Sequence, residues 1–127
     1  MAFVPVKSDH GAVLPFEYLP AAAGDYHVGQ LVNVEDGKVT ALGAASTTTP
    51  PYLCMSEVKK EDGDLLPVTR ISHDYIYETT LETAITAEIG MKLSVAAGGL
   101  TVAAAAGTFE VTAEGAEVGD TIRGRFL

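Results

Sequence analysis

Three features of this 127-residue sequence predict an all-β fold. Short runs of alternating or β-branched residues recur along it, as in "KVTAL", "DYIYET" and "TFEVTA". Glycine-bearing turns separate those runs every ~8–12 residues, the spacing of a small barrel or compact sandwich. One hairpin phrase is also written twice. "GQLVNVEDGKVTAL" starts at Gly29 and "GMKLSVAAGGLTVA" at Gly90, aligning Val34 with Val95, Gly37 with Gly98 and Thr40 with Thr101.

Residues 1–20 read as an extended arm. Pro5, Pro15 and Pro20 fix their own φ and push the residues before them toward extended backbone. Phe3, Val4, Val6, Val13 and Phe16 make the segment more apolar than a disordered tail. "AFVPVK" alternates well enough to join a sheet edge, where main-chain hydrogen bonds supply affinity. Two readings follow: an arm that docks on another protein, with those five residues as its anchors, and an arm that packs on its own domain.

Residues 21–127 read as the β domain. "LVNV" and "KVTAL" flank Asp36-Gly37, a pair suited to the φ > 0 geometry of a two-residue hairpin. "AASTTTPP" is a loop, since two prolines cannot continue a central strand. "YLCMSEV" is the next strand, with Cys54 on the face of Tyr52 and Ser56. Gly63 hinges the turn "KKEDGD", and Pro67 marks "LLPVTRI" as an edge or bulged strand. "DYIYET" puts Tyr75 and Tyr77 on one face. "TLETAITAEIG" is long enough for two helical turns, but its β-branched residues favour a strand, or a strand with a turn. "MKLSV", "GLTVA", "GTFEVTA" and "DTIRGRF" complete the series. Each half thus reads as a hairpin, a strand, a Gly-Asp turn (Gly63-Asp64, Gly119-Asp120) and a closing strand. The half-repeats span about 25–72 and 83–127, and two such units packed face to face would cover each other.

Composition narrows function. A formal charge of −9 repels phosphate backbones, and no basic stripe offsets it, so no nucleic-acid partner is expected. No uncharged apolar run reaches the ~20 residues of a membrane helix, so no membrane partner is expected either. The N-terminus lacks the basic-then-apolar order of a signal peptide, and the single cysteine allows no intrachain disulfide. Both point to a protein made and kept without export.

No cluster announces chemistry. The histidines sit beside acids in Asp9-His10, Asp25-Tyr26-His27 and His73-Asp74, without the ligand spacing of a metal site. An enzyme would need His27, His73 and Cys54 to converge. The carboxylates of Glu35-Asp36, Glu61-Asp62 and Glu114/Glu117 fall at turns, and the glycines form no phosphate-binding motif. Lys92 follows Met91 as in a biotinyl carrier, but the surrounding motif is incomplete. Catalytic residues, metal ligands and cofactors are therefore expected to be none. Tyr75 and Tyr77 are the one hint of a stacking platform for a carbohydrate or small ligand, the alternative function.

"AGDYHVGQLVNVEDGKVTALG" and the terminal "GTFEVTAEGAEVGDTIRGRF" resemble the head-decoration (capsid cement) proteins of bacteriophages, the lambda-type group, over roughly residues 20–127. The resemblance implies a compact β-barrel or β-tulip-like domain, commonly a homotrimer. Such a protein binds the major capsid protein on the outside of an icosahedral shell and stabilises it. It would be made in the bacterial cytoplasm and end on the virion exterior. It implies no enzyme activity.

Overall fold

The computed structural model describes residues 2–8 and 16–127 of the chain. Among them are thirteen strands and no helix. In chain order the strands are β1 (Val4–Ser8), β2 (Glu17–Pro20), β3 (Gly24–Tyr26), β4 (Leu31–Glu35), β5 (Lys38–Ala41), β6 (Tyr52–Cys54) and β7 (Val58–Lys60). They continue with β8 (Leu65–Arg70), β9 (Tyr75–Thr80), β10 (Lys92–Val95), β11 (Val102–Ala106), β12 (Phe109–Ala113) and β13 (Thr121–Phe126). All strand pairs are antiparallel, and the fold is all-β as the turn spacing predicts.

The two large sheets are built to one plan. The five-stranded sheet runs β2-β8-β6-β4-β5, and the six-stranded sheet runs β1-β9-β13-β12-β10-β11. Without β1 the second order repeats the first, strand for strand. Register repeats too. Tyr18 faces Pro67 as Glu78 faces Arg123, and Tyr52 faces Arg70 as Phe109 faces Phe126. Leu31 faces Leu53 as Lys92 faces Glu110. Even the turn bonds recur. Ala21 N–H donates to the Asp64 carbonyl and Leu81 N–H to that of Asp120, both at 2.8 Å. Gly29 N–H reaches Cys54 O at 2.8 Å, and Gly90 N–H reaches Val111 O at 2.9 Å. Gly29 and Gly90, with φ of 82° and 91°, occupy matching turns that favour glycine.

The units do not pack face to face. In the five-stranded sheet Leu31 and Leu53 point one way and Val32, Cys54 and Val68 the other. The first set enters a cluster with Tyr77, Leu93, Phe109, Ile122 and Phe126, from one face of the six-stranded sheet. The second set forms a smaller cluster with Ala21, Tyr26, Val39 and Leu66 inside its own sheet. One unit therefore lays its outer face into the mouth of the other, head to tail. The five-stranded sheet curls, and Ala21, just after β2, forms a bridge with Val39 of β5. The Tyr26 hydroxyl sits in that curl, donating toward the carbonyls of Ala22 (2.7 Å) and Val39 (3.0 Å). The seam between units is hydrogen-bonded: Leu31 N–H to Gly99 O at 2.8 Å, and the buried Gln30 side chain to Gly98 O at 3.0 Å.

Several sequence expectations need correction. Of the two readings of the arm, the described part takes the second and packs on its own domain, so Phe3 is no outside anchor: β1 pairs with β9, and β2 pairs with β8. The reason is Phe3, whose ring meets those of Phe109 and Phe126 at 5.6 and 5.9 Å. Burying such a ring stabilises by roughly 1.5–3 kcal/mol, more than leaving it in water allows. "YLCMSEV" is a strand only as far as Cys54; residues 55–57 are irregular, and its last residue, Val58, opens β7, which pairs with β3. "TLETAITAEIG" is mostly irregular beyond its first residue, with one bridge from Ala87 to Gly115, where the matching approach to Gly29 carries β3 paired with β7. Asp36 and Gly37 alone turn the first hairpin, whereas Ala97, Gly98, Gly99 and Leu100 turn the second. Thr101 therefore matches Lys38, not Thr40.

Candidate docking surface on the edge of β2

β2 bonds to β8 on one side only, and stands at the end of its sheet. Main-chain groups alternate along an antiparallel strand. Ala21 N–H points to β8, so Leu19 and Glu17 do as well, and the N–H and C=O groups of Tyr18 and Phe16 point outward. In the matching strand β9, the outward groups of Glu78 meet β1 through Val4. Among the described residues, no strand pairs with that side of β2 along residues 17–19; just past the strand, Ala22 N–H donates to Val39 O of β5 on the same side, at 2.9 Å.

Side chains around this edge differ between units as much as the pairing does. On the outer face, the second unit sets Glu78 against Arg123, whose Nε donates to the carboxylate at 3.0 Å. The first unit has Tyr18 against Pro67 there. Phe16 and Tyr18, 56% and 61% exposed, meet edge to face at 6.0 Å. Leu65, 56% exposed, lies across from Pro20, and Met55 bonds to Pro67 O, so the apolar strip runs over three strands' width. On the inner face, where Phe109 and Phe126 stack at 5.1 Å, the first unit has Tyr52 and Arg70. The Arg70 guanidinium lies 5.0 Å from the Tyr52 ring centre and donates to its hydroxyl at 2.9 Å. This shelf is a cation–π pair at the open end of the curl.

Of the arm residues named from sequence, only Phe16 belongs to this strip. Phe3 is 1% exposed in the main core. Val4 and Val6 are exposed on β1, at the far edge of the other sheet, and Val13 lies outside the described residues. Tyr18 and Leu65 were missed as surface residues. Alternation around the Pro67 break was the signal available for them.

The titratable groups are dispersed. His27 Nδ1 contacts the Glu57 carboxylate, whose other oxygen accepts from Val28 N–H at 3.1 Å. Those contacts, the His27 bond first, hold the Glu57 carboxyl below its usual range. The Cys54 thiol is buried and donates to Ser56 O at 3.2 Å, with burial pushing its pKa up. His73 is on an exposed turn where its carbonyl accepts from Arg125 at 2.9 Å. His27, His73 and Cys54 thus each have their own partners. Among the described residues, no group of three or more His, Cys, Asp or Glu is placed to hold a metal ion. Tyr77 is buried against Phe126, so Tyr75 and Tyr77 form no open platform. Lys92 stands within β10 opposite Glu110, away from a hairpin tip. No helix among the described residues is long and apolar enough to cross a membrane. No protein-family model, curated protein or solved structure matches the chain.

Proposed function

We propose that the chain is a structural protein that binds the outer surface of an icosahedral bacteriophage capsid and stabilises it. The observation that supports this reading best is the exposed strip of Phe16, Tyr18 and Leu65 beside an unpaired strand edge. Isolated exposed apolar side chains are ordinary, whereas an aromatic pair continuing into Leu65 and Met55 is a contact surface. The partner is the major capsid protein. Contact runs through the Phe16–Pro20 part of the N-terminal segment, since Phe3 is committed to the core. A homotrimer would present three such strips to a three-fold lattice site, so modest single contacts multiply into firm attachment. Assembly takes place in the host cytoplasm, and the protein ends on the virion exterior.

Co-sedimentation with candidate phage shells tests the proposal. The wild-type chain pellets with shells of its cognate phage, and the shells then resist heating to a higher temperature. The double variant Phe16→Ser/Tyr18→Ser, folded by its melting curve, stays in the supernatant. A wild-type chain that pellets with no shell defeats the reading.

A further inference from the structure

The two units share strand order and register, but one N-terminal strand serves only one of them. We propose that the outward edge of β2 is an acceptor site for an extended segment of another polypeptide. That segment adds as an antiparallel strand, and an aromatic anchor on it stacks on the Tyr52–Arg70 shelf. The inference rests on reading the β2 face as a docking surface, and names what docks there.

The second unit shows the occupied form of this site. β1 lies along β9, pairing Val4 with Glu78 and Pro5 with Tyr77. Its preceding residue, Phe3, drops onto Phe109 and Phe126. In the first unit the same positions are Tyr18 for Glu78, Glu17 for Tyr77, Tyr52 for Phe109 and Arg70 for Phe126. The outward main-chain groups of Phe16 and Tyr18 offer the incoming strand the bonds that β9 gives β1. An aromatic ring suits the shelf because guanidinium and phenol planes both stack with it.

Strand numbers argue against the β1 of a second copy as the source. Among the described residues, each copy has two matching acceptor edges, β2 and β9, and one strand of the β1 kind, which its own β9 uses. β1 does not extend the series further. Alternation turns position 5 outward, where Pro5 has no N–H, and a register shift follows between Pro5 and Lys7. β2 has a proline facing outward only at its last residue, Pro20, and its pairing with β8 runs without a register shift.

The test uses the full-length chain, isotope-labelled for NMR, and a synthetic peptide copying Ala2–Ser8, the strand known to suit this geometry. The peptide shifts the amide signals of Phe16 and Tyr18 and slows their hydrogen exchange. A peptide with Phe3→Ala binds at least 5-fold more weakly, and so does the intact peptide with the Arg70→Ala protein. Tyr18→Pro removes an outward N–H, so it abolishes binding while the melting temperature stays near wild type. No change up to millimolar peptide overturns the proposal. So do changes confined to Ile76 and Glu78, which mean displacement of β1, or equal binding of the two peptides. Shell pelleting without peptide binding defeats this inference alone, and peptide binding without shell pelleting defeats the capsid reading alone.

Discussion

The two units use one arrangement of five strands to opposite ends. In the second, the mouth is packed with Phe3, Tyr77, Phe109 and Phe126, and its outer face is charged. Lys92, Glu110 and Arg125 stand in one cross-strand row there, and Glu78 and Arg123 in the next. In the first, the outer face is apolar, part of it (Leu31, Leu53) spent on the second unit's core and part (Tyr18, Leu65) left in water. Its mouth holds Tyr52, Arg70 and Glu17. Backbone topology therefore survives wholesale replacement of what covers it. The difference also stops the stacking. A head-to-tail contact that repeated itself would grow into a filament. The charged outer row of the second unit offers no apolar face to the open mouth of another copy's first unit.

The largest effects should come from substitutions that treat matched positions alike. Phe126→Ala removes a fully buried ring and should cost about 3–5 kcal/mol in urea unfolding. Its counterpart Arg70→Ala should cost no more than about 1 kcal/mol, because its cation–π contact and its hydrogen bond to Tyr52 are both exposed. Similar losses at both positions would mean that the first unit's mouth is buried. Phe3→Ala should fall near Phe126→Ala, whereas Tyr18→Ser should lie within about 0.5 kcal/mol of wild type.

Glycines sharpen the contrast at the hairpins. Gly37 and Gly99 have almost the same φ, 77° and 76°, but only at Gly99 would a Cβ strike the Leu31 carbonyl. Gly37→Ala should cost about 1–2 kcal/mol, the left-handed penalty alone. Gly99→Ala should cost roughly 2–5 kcal/mol, since overpacking against the seam adds to it. Thermal melts of the two variants compare them directly.

A smaller effect separates the units by pH. Glu57 contacts His27, while the matching carboxylate Glu114 accepts from Ile89 N–H at 3.4 Å with Glu88 in the place of His27. Because folding lowers the Glu57 pKa, its contribution is present above the ordinary carboxyl range of ~4.3 and is lost as pH falls through the folded value. Glu57→Gln should therefore flatten the acid limb of the stability curve, measured by urea midpoints from pH 3 to 7. Smallest in stability terms is Cys54. Burial raises its pKa, so native protein should react with a thiol reagent many times more slowly than urea-unfolded protein.

Local signals in the sequence were legible and non-local ones were not. Asp36-Gly37 announces its turn, with φ of 51° and 77°, and Gly29 and Gly90 mark the same step in both units. The units, however, begin earlier than the glycine pattern suggests, at β2 and β9. "EYLP" and "YIYETT" share no pattern because one edge is open and the other is covered. Pairing of β1 with β9 spans most of the chain, and nothing local encodes it. The destination of Phe3 depends on Phe109 and Phe126, which come together only in the folded sheet. Of the candidate surface, Phe16 was visible as an aromatic among prolines. The strip became visible only when β8 set Leu65 and Pro67 beside β2.

Residue-resolved hydrogen exchange of the free protein compares the two edges most directly, at Tyr18 and its counterpart Glu78. The Glu78 amide, facing β1, should be protected by at least 100-fold relative to an unstructured peptide, and the Tyr18 amide should exchange within about 10-fold of one. Equal protection of the two amides would contradict an account in which one edge is filled and its twin is open.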